Sequence, residues 1–407
     1  MRRLGLLSFC AMFWAAGAPS AGAQEADELP LQGLNRRELR LLEPHLDRGP
    51  VLMALFRQDE RQAPPIVLAA RVEAPAQRVA EIIAEPTEYP QFMPALDSIA
   101  VSSRSGSQIA YDWTWRVALF TLRGSNVMTV YRGNPRRGYR IEVRATGGDL
   151  GRGRLSWRVL PDGPNRSLVV LTSRVDMRDA NYLADQLAAG GMAVFRSINI
   201  ALATVMVFGT RRRAEGGPRS SSGELGVLSR PPIDPNALQP LANRGDLVFL
   251  ELQGEELARV SVLARMASNE ERTRAVMRDP EEFGQSLMHG SRAHVVQRTD
   301  EFVDFSWEIP LPLVGVSGRM RMTPTEDVIG VAGLSGSLRS GRWEFDTHVF
   351  PSGEAAVIGW GRFDPRETSR LLRRLIADDT DFAHGLAMAA QVMVARSLRS
   401  RVLRYQP

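Results

Sequence analysis

Lysine is absent from the sequence: all 51 basic residues are arginine. An all-arginine set points to a GC-rich coding bias rather than to a function, and a guanidinium beside a carboxylate or phosphate is less costly to bury than an ammonium. Cysteine is nearly absent too. The only one, Cys10, lies in a segment expected to be removed, which excludes a disulfide, a thiol nucleophile and a Cys-ligated metal from the mature chain. Histidine is scarce, with five in the chain. His45 is the one in the first half; His289 and His294 lie close together without an acidic partner at ligand spacing, so no metal site is expected. No G-x-S-x-G elbow occurs. The run Gly147 to Gly153 precedes a strand and lacks a phosphate-binding lysine, so it reads as a hairpin turn. Asn165-Arg166-Ser167 matches a glycosylation triplet, a three-residue match that carries little weight by itself. No catalytic constellation emerges, and no cofactor is expected.

The 407 residues are too many for one ordinary domain and suggest two. With 44% apolar and 24% charged residues, the composition is that of a soluble globular protein. The N-terminus reads as a secretory signal: Arg2 and Arg3, an apolar stretch from Leu4 to Gly17, and Ala21-Gly22-Ala23 as cleavage site. A lipoprotein signal ending at Cys10 is disfavoured by bulky Phe9. Residues 1–23 are therefore assigned as signal peptide, and the protein is expected in the periplasm of a bacterium or outside the cell. Losing Arg2 and Arg3 lowers the net charge from +5 to +3, which argues against a nucleic-acid partner. Peripheral membrane contact is left open. Gly190 to Thr210 has membrane length and is followed by three arginines, but Arg196 and Asn199 inside it favour a buried helix, and no transmembrane helix is expected after signal cleavage.

Residues 24–46 form an N-terminal segment with a helix at Asn35 to Leu46. A strand candidate, Val51 to Phe56, and an alternating apolar run, Ile66 to Val72, lead into VEAPAQRVAEIIAEPTEYPQFMP, Val72 to Pro94. There, a short helix with Val79, Ile82 and Ile83 on one face precedes a Pro-bounded aromatic cluster. Ile109 to Leu119 alternates with period two, Tyr111, Trp113, Trp115 and Val117 facing one way, Asp112, Thr114 and Arg116 the other. Further strands follow at Asn126 to Tyr131, Tyr139 to Arg144, Leu155 to Leu160 and Leu168 to Val175, then a helix from Asn181 to Arg213. Residues 214–240 are a Gly/Ser/Pro-rich linker.

The pattern then starts again. Asn243-Arg244-Gly245 echoes Asp47-Arg48-Gly49, and Val262 to Met266 echoes Leu68 to Val72. MASNEERTRAVMRDPEEFGQSLM (Met266 to Met288) echoes Val72 to Pro94. Val303 to Ile309 aligns with Tyr111 to Val117, Phe350 to Gly353 with Leu160 to Gly163, and a final helix, Arg366 to Arg404, with Asn181 to Arg213. Correspondences in the same order read as a tandem duplication with a divergent second copy, its period far too long for a solenoid. Asp112 and Asp304 recur and are expected on solvated surface.

The segment Val72-Glu73-Ala74-Pro75, Val79, Ile82-Ile83 and Tyr89-Pro90-Gln91-Phe92-Met93-Pro94 resembles the START-like (SRPBCC) superfamily, closest to its polyketide cyclase/dehydrase and coenzyme-Q-binding branch. The resemblance covers most of residues 47–213 and, more weakly, 241–405. It implies an α+β fold of two tandem helix-grip domains, 47–213 and 241–407, each a curved antiparallel sheet wrapped round a long C-terminal helix. It also implies a cavity between sheet and helix. Candidates to line it are Phe92, Met93, Tyr111, Trp113, Trp115, Ile141, Val143, Leu155, Trp157, Phe195, Ile198, Leu202 and Val205, with Phe305, Trp307 and Phe345 in the second domain. Arginines on neighbouring strands (Arg140, Arg144, Arg152, Arg154, Arg158) either form a charged convex face or place a guanidinium at the cavity mouth. The preferred function is non-enzymatic binding, with transport as an extension, of a lipid, isoprenoid or polyketide-like molecule in the cell envelope. An aromatase/cyclase or dehydratase, and an envelope interaction protein without ligand, stand as alternatives.

Overall fold

The computed structural model describes residues 31, 33–56, 64–93, 95–117, 120–149, 151–176, 192–219, 226–288, 290–309, 316–364, 373 and 380–405. The first half runs α1 (Arg36–Leu46), β1 (Val51–Leu55), β2 (Ile66–Val72), α2 (Ala76–Ala84), a 3-10 turn (Pro86–Gln91), β3 (Leu96–Ser105), β4 (Gln108–Val117), β5 (Phe120–Asn134), β6 (Gly138–Gly148), β7 (Arg152–Pro161), β8 (Ser167–Asp176) and α3 (Met192–Glu215). The second repeats it: α4 (Pro235–Ala242), β9 (Gly245–Gln253), β10 (Glu256–Arg265), α5 (Glu270–Arg278), α6 (Pro280–Gln285), β11 (Arg292–Arg298), β12 (Val303–Ile309), β13 (Val316–Pro324), β14 (Ile329–Gly336), β15 (Arg342–Val349), β16 (Ala355–Arg362) and α7 (Thr380–Arg404). Of the two long helices expected from the sequence, the stretches 181–191, 366–372 and 374–379 lie outside the described residues.

The repeat begins earlier than the sequence suggested. Asn35 caps α1 with a capping box, its side chain accepting from the amides of Arg37 and Glu38 while Glu38 reaches back to the Asn35 amide. Asp234 caps α4 with its side chain alone, accepting from the amides of Asn236 and Ala237. Both helices carry an internal proline, Pro44 and Pro240, and each buries a leucine two residues before it, Leu42 and Leu238. The end of the supposed linker is thus the opening helix of the second copy.

Among the described residues all strand pairings are antiparallel, and the strands form one 16-stranded sheet in the order β11-β12-β13-β14-β15-β16-β10-β9-β1-β2-β8-β7-β6-β5-β4-β3. Its centre is the contact of equivalent strands. Val51 lies opposite Phe249, Leu52 opposite Val248 and Met53 opposite Leu247. Aligning Gly49 on Gly245 makes Val51 the counterpart of Leu247 and Met53 that of Phe249, so each residue faces the other's counterpart. A local two-fold axis passes between Leu52 and Val248.

The central strands are covered on both faces. Val51, Met53, Leu55, Val67 and Ala69 pack with Leu39, Leu42 and Leu46 of α1 and Leu238 and Leu241 of α4. Leu52, Ile66, Leu68 and Ala70 belong to the opposite core with Ile200 and Ala203 of α3. β2 therefore has no polar face to alternate with, contrary to the alternating reading of its sequence.

Helices α3 and α7 pack on each other above the sheet. Their junction is sealed by arginines. Arg212 holds the fully buried carboxylate of Asp381, and Arg396 and Arg399 grip the fully buried Asp246 of β9. Arg396 also donates to the carbonyls of Ala54 and Leu55 at 2.8 and 2.9 Å. The second copy's helix is thereby tied to the first copy's central strand.

Candidate functional site

The 3-10 turn after α2 is fixed from two sides. Pro86 starts it, and the Tyr89 hydroxyl donates to the Ile83 carbonyl. Tyr89 and Phe92 meet edge to face at 5.7 Å. α3 comes so close that a Cβ on Gly209 would meet the Phe92 carbonyl oxygen at 2.8 Å, a contact that only glycine at this position leaves room for. Between this turn, α3 and the sheet of the first half lies a cavity of about 100 Å³.

Its lining comes from the turn (Tyr89, Met93), β3 (Leu96, Ile99), β4 (Tyr111, Trp113, Trp115), β5 (Asn126), β6 (Val143, Ala145), β7 (Gly153, Leu155), β8 (Ser173, Val175) and α3 (Leu202, Ala203, Met206). Period-two alternation on β4 places its aromatics on this side, and Asp112 and Arg116 on the other, where they bond Ser125 and Asp97. Trp113 lies over Gly124 of β5, whose Cβ would come within 2.4 Å of the indole.

The cavity's polar atoms are neutral. Asn126 donates its side-chain NH to the Tyr111 hydroxyl oxygen at 3.2 Å. Asn199 of α3 accepts from the Ser173 hydroxyl and returns a bond to the Ser173 carbonyl at 3.2 Å. Burial pushes the Tyr111 phenol up to about 12, the Asn126 bond opposing it. Burial, with the neighbouring Tyr111 and Glu85, raises Tyr89 as well. Both phenols are therefore protonated at neutral pH and act as hydrogen-bond donors rather than bases.

The other candidates fall elsewhere. Ile141 and Trp157 face each other across β6 and β7, two residues along from Val143 and Leu155, and are sealed in core where α2 covers these strands. Val205 is fully buried and Ile198 is partly buried against the core. Phe92 is half-buried against Tyr89 and outside the lining. The side chains of Phe195 and Arg152 lie outside the described residues. Arg140, Arg144, Arg154 and Arg158 alternate with the inward residues, and none lines the cavity. Arg140 pairs with Glu142, and Arg158 donates to the Leu34 carbonyl at 2.6 Å, so the convex-face reading holds for them rather than the cavity-mouth one.

The sequence reading missed β3, whose polar residues hide an edge strand. It also missed Asn126, though that residue stands directly opposite Tyr111 across β4 and β5. Pairing the two recognised strands would have found it.

The second half fills the same space with side chains. Phe283, the counterpart of Tyr89, packs edge-on against Phe305 at 6.5 Å and Phe345 at 5.2 Å. Trp307 lies over Gly318, 3.2 Å from where its Cβ would stand, as Trp113 lies over Gly124. This shared contact makes Trp307 the equivalent of Trp113, two residues from the sequence alignment, and Phe305 the equivalent of Tyr111. Opposite Phe305 stands Met320, where the first half has Asn126. Phe305, Trp307 and Phe345 are core residues. Asp304, expected on the surface, is largely buried and holds Arg321 through both carboxylate oxygens at 2.7 and 2.9 Å.

Among the described residues, no three His, Cys, Asp or Glu side chains converge to hold a metal. None of the helices among them is long and apolar enough to cross a membrane. His289 lies outside the described residues.

Residues 72–195 match the family model described as polyketide cyclase / dehydrase and lipid transport. The match lies within the first half, and the second half repeats that half's order of elements. Solved structures similar to it include an aromatase/cyclase from a Streptomyces species, at 19% identity over 37% of this chain and 93% of that one, TM-score 0.32. The di-domain ARO/CYC protein of the steffimycin biosynthetic pathway aligns over 81% of this chain and 98% of its own, at 13% identity and a TM-score of 0.28. A STAR-related lipid transfer protein fragment from Xanthomonas axonopodis aligns over 41% and 93%, at 12% identity and a TM-score of 0.32. No curated protein sequence matches the chain.

Proposed function

We propose that the first START-like domain binds an apolar small molecule in the cell envelope, and that the second is its structural partner. The observation that carries this reading is the cavity beneath Trp113 and Trp115: apolar, bounded by the turn and α3, and closed by aromatic packing at the equivalent place in the second half. Contact with its walls removes apolar ligand area from water, at about 25 cal/mol per Å². At about 100 Å³ the cavity is sized for one small ring. Met93 and Met206, unbranched and flexible, are the lining side chains best able to enlarge it for a longer molecule. The envelope location rests on the charged, apolar and A-x-A segments of residues 1–23.

A cyclase or dehydratase acting on a polyketide-like substrate needs a group that changes protonation in the cavity. The titratable lining residues are Tyr89 and Tyr111, both held in the protonated form, which supports binding over proton abstraction. Native mass spectrometry of protein recovered from its own periplasm tests the proposal. A co-purifying apolar molecule that is lost in a cavity-filled variant supports it. An empty protein that also takes up none of a panel of labelled lipids and ring compounds overturns it.

A further inference from the structure

The wall of the cavity is not uniformly apolar, and its polar part is built in a definite way. Tyr111 is 4% exposed. Its oxygen accepts from the Asn126 side chain, and its own O–H has no acceptor among the described residues. A buried donor left without an acceptor is costly, and this one lines the cavity. The second half shows what the same position becomes when nothing has to be recognised. There, the cross-strand pair Tyr111 and Asn126 is replaced by Phe305 and Met320, and aromatic side chains fill the space. A hydroxyl and an amide in the copy with the cavity, against two apolar side chains in the filled copy, assign the polar pair to a ligand rather than to the fold.

Among the described residues, the lining has no Asp, Glu, Arg or His side chain. A charged ligand group would enter without a counter-ion and lose its hydration uncompensated. Resting on the binding function proposed above, we infer that the ligand is an uncharged ring compound whose carbonyl or ether oxygen accepts a hydrogen bond from Tyr111, held in place by Asn126. Fatty acids and other molecules that would bury a charged head are excluded from this site. The high pKa of the phenol keeps its proton in place throughout the physiological range.

Calorimetric titration of the full chain with three probes of similar size separates the possibilities: acetophenone carries a carbonyl, ethylbenzene carries none, and benzoate carries a charge. Acetophenone is expected to bind about tenfold more tightly than ethylbenzene, the worth of one buried hydrogen bond, and benzoate not measurably. In Tyr111→Phe the acetophenone preference should vanish while ethylbenzene affinity is kept, which also shows that the variant is folded. Importing the second half's pair, Tyr111→Phe with Asn126→Met, should give the same result. Equal affinities in the unmodified protein, tightest binding by benzoate, or a carbonyl preference that survives Tyr111→Phe each overturns the inference while leaving an apolar binding site. Failure of both acetophenone and ethylbenzene to bind overturns the binding function, and this inference with it.

Discussion

Arg212, near the end of the first copy's long helix, holds Asp381 at the start of the second copy's, with one N–O contact of 2.6 Å and the carboxylate fully buried. Two helices that each pack on their own copy's strands are thus also bonded to each other. Removing the acid leaves the half-buried Arg212 guanidinium with its longer contact to Glu255, at 3.6 Å. Asp381→Ala is expected to destabilise the chain by about 3 kcal/mol, within the range for breaking buried ion pairs. Urea denaturation should show a lower midpoint; a change under about 0.5 kcal/mol, the usual surface effect, would mean the pair contributes nothing.

His384 gives the same junction a pH dependence. It is buried beside Phe208, at 5.7 Å between ring centroids. Burial first, then Arg211 and Arg212, lowers it to about 4 from an ordinary 6.5. Between those two values the unfolded chain takes up a proton that the folded chain refuses, so stability falls as pH drops through this window. The loss amounts to a few kcal/mol on the order of the shift. His384→Leu should flatten that part of a thermal-stability profile between pH 6.5 and 4, whereas identical slopes for the two proteins would show that the imidazole does not titrate there.

Phe305 and Tyr111 occupy equivalent places, and only one of them has a polar neighbour. Phe305→Tyr buries a hydroxyl opposite Met320 and against Phe283. It should cost about 1–3 kcal/mol, as an unsatisfied buried group does. Phe305→Tyr combined with Met320→Asn should recover part of that, measurable as a double-mutant coupling by chemical denaturation.

Ala203 faces the cavity from α3 and is itself buried. Ala203→Leu should occupy the space a ligand needs. The expected outcome is retained or raised thermal stability with ring-compound binding reduced at least tenfold, as lost contact area implies. Unchanged affinity would place the ligand elsewhere.

Much of this arrangement was legible in the sequence because period and order survive divergence. The alternation of Tyr111, Trp113 and Trp115 against Asp112 and Arg116 placed β4 correctly, since one face meets the cavity and the other water. The duplication was visible in short strings around Gly49 and Gly245. What escaped notice depended on neighbours. β2 reads as alternating only until helices on both faces bury it. α4 looks like linker because Pro235 and Pro240 resemble loop residues, whereas Pro235 occupies the first turn, where no amide bond is lost. The equivalence of Trp307 with Trp113 needs the cross-strand glycine, and Ile141 and Trp157 differ from Val143 and Leu155 by what covers them.

The pairing of β1 with β9 bears on why the two copies share one chain. A strand that binds its own counterpart about a two-fold axis is how two identical subunits join. Two separate subunits would associate only as far as their concentration allowed, and every residue would be constrained to serve in both. Covalent linkage removes both limits. Tyr111 and Phe305, equivalent in place, are free to be different in chemistry, so one copy can keep an opening while the other spends its interior on stability.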